Sequence, residues 1–431
     1  MKRRYVAMIS AVLCSAMILS ACGNSKKTES IYTGDKTEVP AWQANLDAIS
    51  PSAYADVEGL DLEPGTYISV IGRAGGTPYW DEVKKGVEQA AEDLNESLGY
   101  SGDDKIKVVY NAPDENDNID EMVNILDEEL ARYPDVIAVS SIDESASEVQ
   151  FDLATANGIP IVAFDSGNSY QGIQCICRTD NKEAAKTGVK KLCEAIGDSG
   201  EIALLLNDSV SENGKEREAG VKEEIKANHP DVSVVETIYV DELDQLKRKA
   251  AAEQLGMSAE DLAAAEAGEK MDDAAQTTGT ANGSGTDTAT KDGATAPTVA
   301  EKFEEVKSAA DKMSNEEAVA YYLKKHPELK GIFALNETST QLGIQVLDEL
   351  DNSDEIQIVG FDAGKEQVKA LEDGELDGLV VQNPFGMGYA AVIASARTVL
   401  EIGNEAEVNT GYVWVTAENM DDADIKPLVY K

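Results

Sequence analysis

Three short apolar runs near the C-terminal end constrain the fold more than any other feature of this chain. They are Gly331–Leu335, Glu355–Phe361 and Gly378–Gln382. Gly, Pro or acidic turn residues bound each run, which is typical of buried parallel strands. The stretches between them, Thr338–Leu350 and Lys365–Leu371, carry apolar residues at helical spacing. Strands that alternate with helices in this way predict an α/β fold built on a parallel sheet.

A polar side chain stands at the end of each of these runs, namely Asn336, Asp362 and Gln382. Ligands of open α/β sheets bind at the carboxyl ends of the strands. Three hydrogen-bonding side chains at one edge therefore predict a site for a polar small molecule. Each residue could instead only cap the helix that follows, since Asn and Asp are preferred caps. The shared position of all three favours the binding site.

The same alternation extends back to about Pro64, with one interruption. Further strands are predicted at Tyr67–Gly72, Lys105–Tyr110, Val136–Val139, Pro160–Phe164, Glu201–Leu206, Ser233–Tyr239 and Tyr412–Val415. Amphipathic helices are predicted at Asp81–Leu94, Ile119–Tyr133, Ala146–Asn157 and Phe385–Ile402. Strands and helices at this short spacing require right-handed crossovers within parallel sheets.

The interruption is a stretch from about residue 250 to 311 that is rich in Ala, Glu, Thr and Gly. Its centre, Gln276–Pro297, has the composition of a disordered segment. Helices can form on its flanks, at Gln254–Ala265 and Val299–Met313. We expect a low-complexity insertion that lengthens a peripheral connection and leaves the sheet intact.

The N-terminal segment has the features of an export signal. Basic residues open Met1–Ala21, an apolar run follows, and Leu19-Ser20-Ala21-Cys22 closes it. This ending resembles a bacterial lipobox, which implies lipidation of Cys22 and an anchor at the cell membrane, on its extracellular or periplasmic side. Ordinary cleavage nearby is the alternative. Residues 22–63 are predicted to be a tether whose second half packs on the body through Trp42 and Tyr54.

Charge and motif content exclude several classes of function. The chain carries 37 basic and 81 acidic residues, a formal net charge of −44, so nucleic acid is not an expected partner. Neither a Gly-x-Ser-x-Gly elbow nor a phosphate loop occurs in the sequence. Its only histidines, His229 and His326, stand beside no plausible nucleophile. We therefore expect a protein that is not an enzyme and needs no cofactor.

Two groups of residues could in principle bind a metal ion or form a disulfide. Asp114-x-Asn116-x-Asn118-x-Asp120 begins like a calcium loop, but isoleucines stand where the glycine and the last acidic ligand belong. This pattern predicts a loop and a helix cap, not a metal site. Cys175 and Cys177 share one side of a predicted strand and are interpreted as buried thiols. A disulfide from Cys193 to either one stays open.

The loop after the first predicted strand contains Thr77-Pro78-Tyr79-Trp80. Adjacent aromatic rings at the end of a strand can cover the apolar C–H face of a pyranose or furanose. They can also simply pack the following helix onto the sheet.

The three strand-end motifs are Phe333-Ala334-Leu335-Asn336-Glu337, Val359–Asp362 and a strand that closes on Gln382-Asn383-Pro384. Their order resembles that of the ribose- and galactose-binding proteins of the type I periplasmic binding protein family. The resemblance implies two doubly wound parallel-sheet lobes, joined by a three-segment hinge, with the ligand between them. Residues 64–179 and 383–410 would form one lobe, and 180–382 and 411–431 the other.

The resemblance also implies which residues bind the ligand. They are Thr77, Tyr79, Trp80, Asp165, Lys215, Asn336, Asp362 and Gln382. Thr77 stands where the family has Asn, while Ser166 and Lys215 stand where ribose binders have arginines. Neither Ser166 nor Lys215 can form the two parallel hydrogen bonds of an arginine guanidinium, so the sequence indicates no particular sugar.

The expected function is therefore that of a solute receptor. The protein would bind a carbohydrate as its ligand and would deliver it to the permease of an ABC importer in the membrane. It would act as a monomer. A receptor that senses its ligand and signals to a membrane kinase or chemoreceptor is the alternative. Repressors of the lactose type share the two-lobed core but begin with a DNA-binding helix-turn-helix, which the export signal excludes.

Overall fold

The computed structural model describes residues 40–115, 117–277, 298–351, 353–423 and 425–430. Every element described below belongs to one compact unit, Ala41–Lys431. The export signal, the lipidation of Cys22 and the start of the tether are predictions that lie outside the described residues.

Strands within the described residues form two six-stranded sheets. In chain order they are β1 (Tyr67–Ile71), β2 (Lys107–Asn111), β3 (Val136–Val139), β4 (Ile161–Phe164), β5 (Ile173–Arg178), β6 (Gly200–Leu206), β7 (Val232–Tyr239), β8 (Leu329–Ala334), β9 (Gln357–Phe361), β10 (Gly378–Gln382), β11 (Glu407–Asn409) and β12 (Tyr412–Val415). The first sheet has the order β11-β5-β4-β3-β1-β2, and the second β12-β10-β9-β8-β6-β7. Neighbouring strands run parallel, except that β12 is antiparallel to β10.

Helices cover both faces of these sheets. They are α1 (Gln43–Asp47), α2 (Pro78–Leu98), α3 (Ile119–Leu130), α4 (Glu148–Ala156), α5 (Asn181–Ala195), α6 (Glu212–Asn228), α7 (Leu243–Gln254), α8 (Ala259–Thr277), α9 (Val299–Ala310), α10 (Asn315–Leu323), α11 (Glu337–Leu347), α12 (Lys365–Asp373) and α13 (Pro384–Val399). Because helices bury both faces of the central strands, those strands read as continuous apolar runs. Every residue of β3, β4 and β10 is buried.

The two sheets are the centres of two lobes. Helices α2, α3, α4 and α13 pack on the first sheet, and α5, α6, α10 and α11 pack in the second lobe. Within the described residues the chain passes between the sheets three times, from β5 to α5, from β10 to α13 and from β11 to β12. The predicted α/β architecture of two doubly wound lobes joined by three segments is therefore confirmed.

Both sheets bring loops to their carboxyl ends at equivalent points. Strand β1 lies between β2 and β3, and strand β6 lies between β7 and β8, so the winding of each sheet reverses there. Such switch points are where open α/β sheets bind ligands. The loops that follow β1 and β6 are therefore the places in this fold where a site is expected.

Helix α2 begins and ends at residues suited to those positions. The Thr77 side chain caps its first turn, Pro78 follows with a preset φ, and Gly99 ends it at a left-handed φ of 69°. Helix α13 packs closely along it. A Cβ at Gly86 would lie 2.0 Å from the Phe385 carbonyl oxygen, and one at Gly388 would lie 2.0 Å from the Val83 carbonyl oxygen.

The segment before the first strand belongs to the packed body. Trp42 stacks on Phe385 with ring centroids 6.3 Å apart, and Tyr54 is buried. The Asn45 side chain donates to Asn383 Oδ1 at 3.0 Å. The body thus includes residues from Ala41 onward, which agrees with the prediction that the second half of residues 22–63 packs on it through Trp42 and Tyr54.

The expected insertion is folded where the structure describes it. Helices α7, α8 and α9 enclose a small core of Ala251, Ala252, Met257, Leu262, Phe303, Val306 and Ala310. Helices were predicted on both flanks of the stretch from 250 to 311, and α8 and α9 lie there, with apolar residues enough to pack against α7. Residues 278–297, the main part of the segment predicted to be disordered, lie outside the described residues.

The described residues contain three cysteines, none of them in a disulfide, and no membrane-spanning helix. Cys175, Cys177 and Cys193 are buried free thiols, so the disulfide left open for Cys193 is not formed. The Sγ atoms of Cys175 and Cys177 lie 4.0 Å apart, as expected for one side of a strand. No helix in this part of the chain combines the length and apolar character needed to cross a bilayer.

Candidate functional site

A cavity of about 80 Å³ lies between the carboxyl ends of the two sheets. Both lobes line it. Seven of the eight residues that the sequence singled out lie on its wall: Thr77, Tyr79, Trp80, Asp165, Asn336, Asp362 and Gln382. Whether each contacts a ligand stays a prediction, but the fold brings residues up to 305 positions apart in the chain to one small space.

The loop after β1 supplies the aromatic wall. Thr77 Oγ1 accepts a hydrogen bond from the Trp80 backbone N–H at 3.3 Å, which holds both rings at the start of α2. The rings of Tyr79 and Trp80 meet edge to face, with centroids 5.3 Å apart and planes at 82°. Tyr79 and Trp80 are only 6% and 7% exposed, so these rings pack helix α2 onto the body as well as lining the cavity.

Asp165, just after β4, is held by donors from its own lobe. The Tyr79 hydroxyl donates to Asp165 Oδ1 at 2.6 Å, and the Ser140 hydroxyl donates to Oδ2 at 3.1 Å. Its backbone has a φ of 55°, in the left-handed region that few non-glycine residues adopt. Burial and the Asp165 carboxylate together raise the pKa of the Tyr79 hydroxyl well above its ordinary value. Tyr79 therefore stays a donor to Asp165 at neutral pH.

Asp362, just after β9, is the centre of a hydrogen-bonded set in the second lobe. Gln382 Nε2 donates to Asp362 Oδ1 at 2.9 Å, and Arg217 Nη2 donates to Gln382 Oε1 at 2.7 Å. The backbone φ of Asp362 is also positive, at 69°. Burial raises the pKa of Asp362 to about 6. The Arg217 charge and the Gln382 hydrogen bond lower this pKa, but their effect is smaller than that of burial. At neutral pH most of this carboxyl group is therefore charged and accepts hydrogen bonds.

Arg217, on α6, is fixed in place by three acceptors. Besides Gln382, its Nε donates to Asn181 Oδ1 at 2.9 Å and its Nη1 to the Leu335 carbonyl at 2.6 Å. The guanidinium carbon lies 4.5 Å from the centroid of the Phe361 ring. This arginine brings a positive charge to the strand ends of the second sheet.

Asn336 and Glu337 come from the start of α11. Asn336 Oδ1 accepts from the Ser339 backbone N–H at 2.9 Å, so the residue caps its helix as well as lining the cavity. Burial, together with the nearby Asp362 carboxylate, raises the pKa of Glu337 to about 7. Hydrogen bonds to the Tyr79 backbone N–H and the Gln367 side chain lower the pKa of Glu337, but by less than burial raises it. Glu337 thus joins the second lobe to the start of α2 in the first.

A cluster of four polar side chains forms the wall at the two switch points. Arg73, after β1, lies with its Nη2 2.7 Å from Asp117 Oδ1 and 3.1 Å from Asp208 Oδ2. Asn207 Nδ2, after β6, donates to Asp117 Oδ2 at 2.6 Å and to Asp208 Oδ2 at 3.1 Å. Arg73 and Asp117 belong to the first lobe, and Asn207 and Asp208 to the second. These four residues are called the cross-lobe cluster below.

Lys215 is the one predicted site residue that the structure does not bring to the cavity wall. Lys215 is exposed and pairs with Glu144 at 3.0 Å, away from the cavity wall. Arg217 takes the inward position, because two residues along an α-helix turn the side-chain direction by roughly 200°. Ser166 does not line the cavity either; its hydroxyl donates to Asn213 Oδ1 at 3.4 Å.

Sequence analysis missed the cross-lobe cluster, Arg217 and Glu337. A signal for Arg217 was present: it precedes the buried Val221 and Ile225 at intervals of four, so it lies on the inward face of α6. Nothing in the sequence indicated that Arg73 meets Asp208, since these residues come from different lobes. Asp117 lies in the calcium-like stretch, whose Asn118 caps α3 as predicted.

Within the described residues no group of three or more His, Cys, Asp or Glu side chains is arranged to hold a metal ion. The acidic residues of the cavity wall are instead bonded to donors, namely hydroxyls, amides and guanidinium groups. The chemistry that this arrangement supports is hydrogen bonding to a polar ligand, with an aromatic surface beside it.

Solved structures with the same fold are bacterial solute-binding proteins. A carbohydrate transporter solute binding protein from Agrobacterium radiobacter, in complex with D-arabinose, is 21% identical with a TM-score of 0.62, covering 84% of this chain and 99% of that chain. An ABC transporter solute binding protein from Agrobacterium vitis, bound with α-D-tagatopyranose, is 20% identical with a TM-score of 0.61, covering 85% and 99%. A glucose-galactose binding protein from Geobacillus stearothermophilus is 19% identical with a TM-score of 0.59, covering 83% and 99%.

At these identities the structural likeness shows the fold alone. A comparison with curated proteins gives no match. A family model described as a periplasmic binding protein domain matches residues 68–285 and 261–401, which is most of the chain. The protein therefore belongs to the periplasmic binding protein family that its strand-end motifs predicted.

Proposed function

We propose that this protein is an extracellular solute-binding lipoprotein that captures a sugar or a sugar-like small molecule and delivers it to an ABC importer. The observation that carries the proposal is the cavity between the lobes, whose wall combines the polar side chains of Asp165, Asp362 and Gln382 with the rings of Tyr79 and Trp80. Binding of D-arabinose and tagatopyranose by proteins of this fold supports it.

The wall chemistry suits a polyhydroxylated ligand. A carboxylate accepts hydrogen bonds from two neighbouring hydroxyls with its two oxygens, and a guanidinium donates to several acceptors. The rings of Tyr79 and Trp80 supply apolar area for the C–H face of a sugar. One water needs about 10–15 Å³ of such space. A cavity of about 80 Å³ thus holds several waters, which fits a ligand of monosaccharide size.

Anchoring and delivery complete the proposal. The support for a lipid anchor is the sequence Leu19-Ser20-Ala21-Cys22 after a basic and apolar leader. An anchored receptor outside the membrane meets the permease of an importer at the same surface. In this proposal the protein acts as a monomer, takes no cofactor and binds no nucleic acid.

The ligand class is tested by a thermal-shift screen of the protein without residues 1–22, against monosaccharides, polyols, nucleosides, amino acids and peptides. A ligand at one hundred times its Kd stabilises the folded state by about 2.7 kcal/mol, which is easily measured. We expect a shift with at least one polyhydroxylated compound. A shift with amino acids or peptides alone would show that the sugar assignment is wrong.

The site is tested by Asp362→Asn, which keeps the shape of the side chain and replaces one acceptor by a donor. Losing hydrogen bonds to a charged group costs about 1.5–3 kcal/mol, so Kd for the ligand found in the screen should rise by one to two orders of magnitude. Asp244→Asn makes the same charge change on a side chain that is 91% exposed, and should not alter Kd. Titration calorimetry measures both. Equal affinity of Asp362→Asn and the parent, at equal stability, would remove Asp362 from the binding site.

A further inference from the structure

The cross-lobe cluster joins the two lobes through a buried arginine. Arg73 is 5% exposed and Asp208 is 6% exposed, so their ion pair is shielded from water. Burial by itself would lower the pKa of the Arg73 guanidinium, but Asp117 and Asp208 outweigh it and raise the pKa. Charge–charge interactions in such a setting are screened far less by solvent and salt than those at the surface.

The two carboxylates around Arg73 have different relations to lobe opening. Asp117 lies in the same lobe as Arg73, and its Oδ1 accepts from Arg73 Nε at 2.8 Å. Asp208 lies in the other lobe. When the lobes separate, the pair with Asp117 can persist while the pair with Asp208 breaks. Arg73 then keeps one partner, so the cluster can open without leaving the guanidinium unpaired.

Asp208 is held independently of Arg73. Its Oδ1 accepts from the backbone N–H groups of Val210 and Ser211, at 3.1 and 2.6 Å, just before α6. Its other oxygen, Oδ2, is the one that faces Arg73. The second lobe thus presents a fixed acceptor to the first, and Asn207 adds a second cross-lobe bond to Asp117.

We propose that Arg73 is a positioning residue that holds the two lobes together over the cavity through Asp208. The pair forms part of the cavity wall only while the lobes meet. Closure is then stabilised by bonds between protein groups as well as by any ligand. The proposal goes beyond the binding function and holds whatever molecule the cavity takes.

A more exposed ion pair between the lobes provides a control. Lys215 and Glu144 lie 3.0 Å apart, but their side chains are 53% and 31% exposed. Exposed pairs of this kind contribute little to stability. Arg73→Gln and Lys215→Gln remove the same charge from a cross-lobe pair, so they differ mainly in the burial of that pair.

The experiment is hydrogen exchange with mass spectrometry on the full-length chain, without added ligand. It follows residues 74–80 and 207–214, which border the cavity from either lobe. Arg73→Gln should speed exchange in both segments roughly tenfold or more, because it leaves Asp208 without its buried cation. Lys215→Gln should change exchange by less than about fivefold. Small-angle scattering should give a larger radius of gyration for Arg73→Gln than for Lys215→Gln.

Two further variants separate closure from a local structural role. Asp208→Asn keeps the Oδ1 acceptor for Val210 and Ser211 and should reproduce the Arg73→Gln effect, while combining the two should add little. Arg73→Lys keeps the charge and should restore closure in part. Faster exchange confined to residues 74–80 would overturn the proposal, as would equal effects of Arg73→Gln and Lys215→Gln. A failed sugar screen would not alter these outcomes.

Discussion

Two acidic side chains of the second lobe, Glu337 and Asp362, hold protons more tightly in the folded protein than in an unfolded chain. The pKa of Glu337 rises from 4.5 to about 7, chiefly through burial and then through the Asp362 carboxylate. The pKa of Asp362 rises from 3.8 to about 6, again chiefly through burial. Between about pH 4 and 7 the folded state therefore binds more protons than the unfolded state.

This difference in bound protons determines whether the stability of the folded protein rises or falls with pH. The stability that these two carboxyl groups contribute is fully present below their unfolded pKa values and is lost as pH rises through 6 and 7. Glu337→Gln, a neutral substitute of the same shape, should therefore raise the melting temperature at pH 8 and change it little at pH 4.5. A pKa unit corresponds to about 1.4 kcal/mol, so the gain at pH 8 is on the order of 1–3 kcal/mol.

Thermal melts of the parent and Glu337→Gln at both pH values test the prediction. Glu372→Gln, on the exposed surface beyond the cavity, serves as a charge-matched control for the general effect of pH. A melting-temperature difference that is the same at pH 4.5 and pH 8 would show that folding does not raise the pKa of Glu337.

At the scale of elements, the closest packing in the first lobe is that of α2 against α13. Gly86 and Gly388 let the two backbones approach until a Cβ on either would overlap a carbonyl oxygen of the other helix. Helix α13 starts directly after Gln382, and α2 starts with the aromatic loop. The two glycines therefore set the spacing of two helices whose first turns border the site.

Gly388→Ala should destabilise the protein by at least about 1–3 kcal/mol, since the new methyl group meets backbone atoms that have no freedom to rotate away. Gly268→Ala is the matched control. Gly268 is an exposed position of α8 with no atom near its would-be Cβ, so alanine there should be neutral or stabilising by up to about 1 kcal/mol. Urea unfolding of both variants measures the difference. Parent-like stability of Gly388→Ala would mean that the helices can separate at little cost.

On the scale of the whole molecule, the unit formed by α7, α8 and α9 stands apart from the site. No described residue of these helices lines the cavity, and most of their buried residues form a small core of their own, although Leu243 of α7 packs in the large core shared by the two sheets. Changes in the connection between α8 and α9 should therefore leave the binding of a ligand unaffected.

Deletion of residues 278–297, closed by a short Gly-Ser linker, should leave both the melting temperature and ligand affinity nearly unchanged. The entropy cost of closing a loop changes by only about 0.6 kcal/mol for each doubling of its length. In the intact protein we expect protease to cut first in this Gly- and Thr-rich stretch. Thermal melts and limited proteolysis test the two expectations. A deleted chain that does not fold would show that the segment is structural.

Much of the fold was determined by local sequence. Short apolar runs identified the strands Val136–Val139 and Tyr412–Val415 with their observed bounds. Val136–Val139 is buried throughout, and burial on both faces demands such a continuous run. Turn and cap chemistry identified the ends of helices, where predicted and observed bounds differ by a few residues. The order of the strand-end motifs was enough to predict the family and the two-lobed architecture, both of which are confirmed.

Only the tertiary structure decided which side chains share the cavity. Arg73 and Asp208 lie in different lobes, and their contact depends on how the two sheets face each other, which no local pattern records. Arg217 is an exception, because its spacing from Val221 and Ile225 in the sequence already indicates the inward face of α6. Residue types and strand ends are properties of the sequence, whereas charge pairing across the cleft results from long-range packing, because it joins segments that meet only after both sheets have formed.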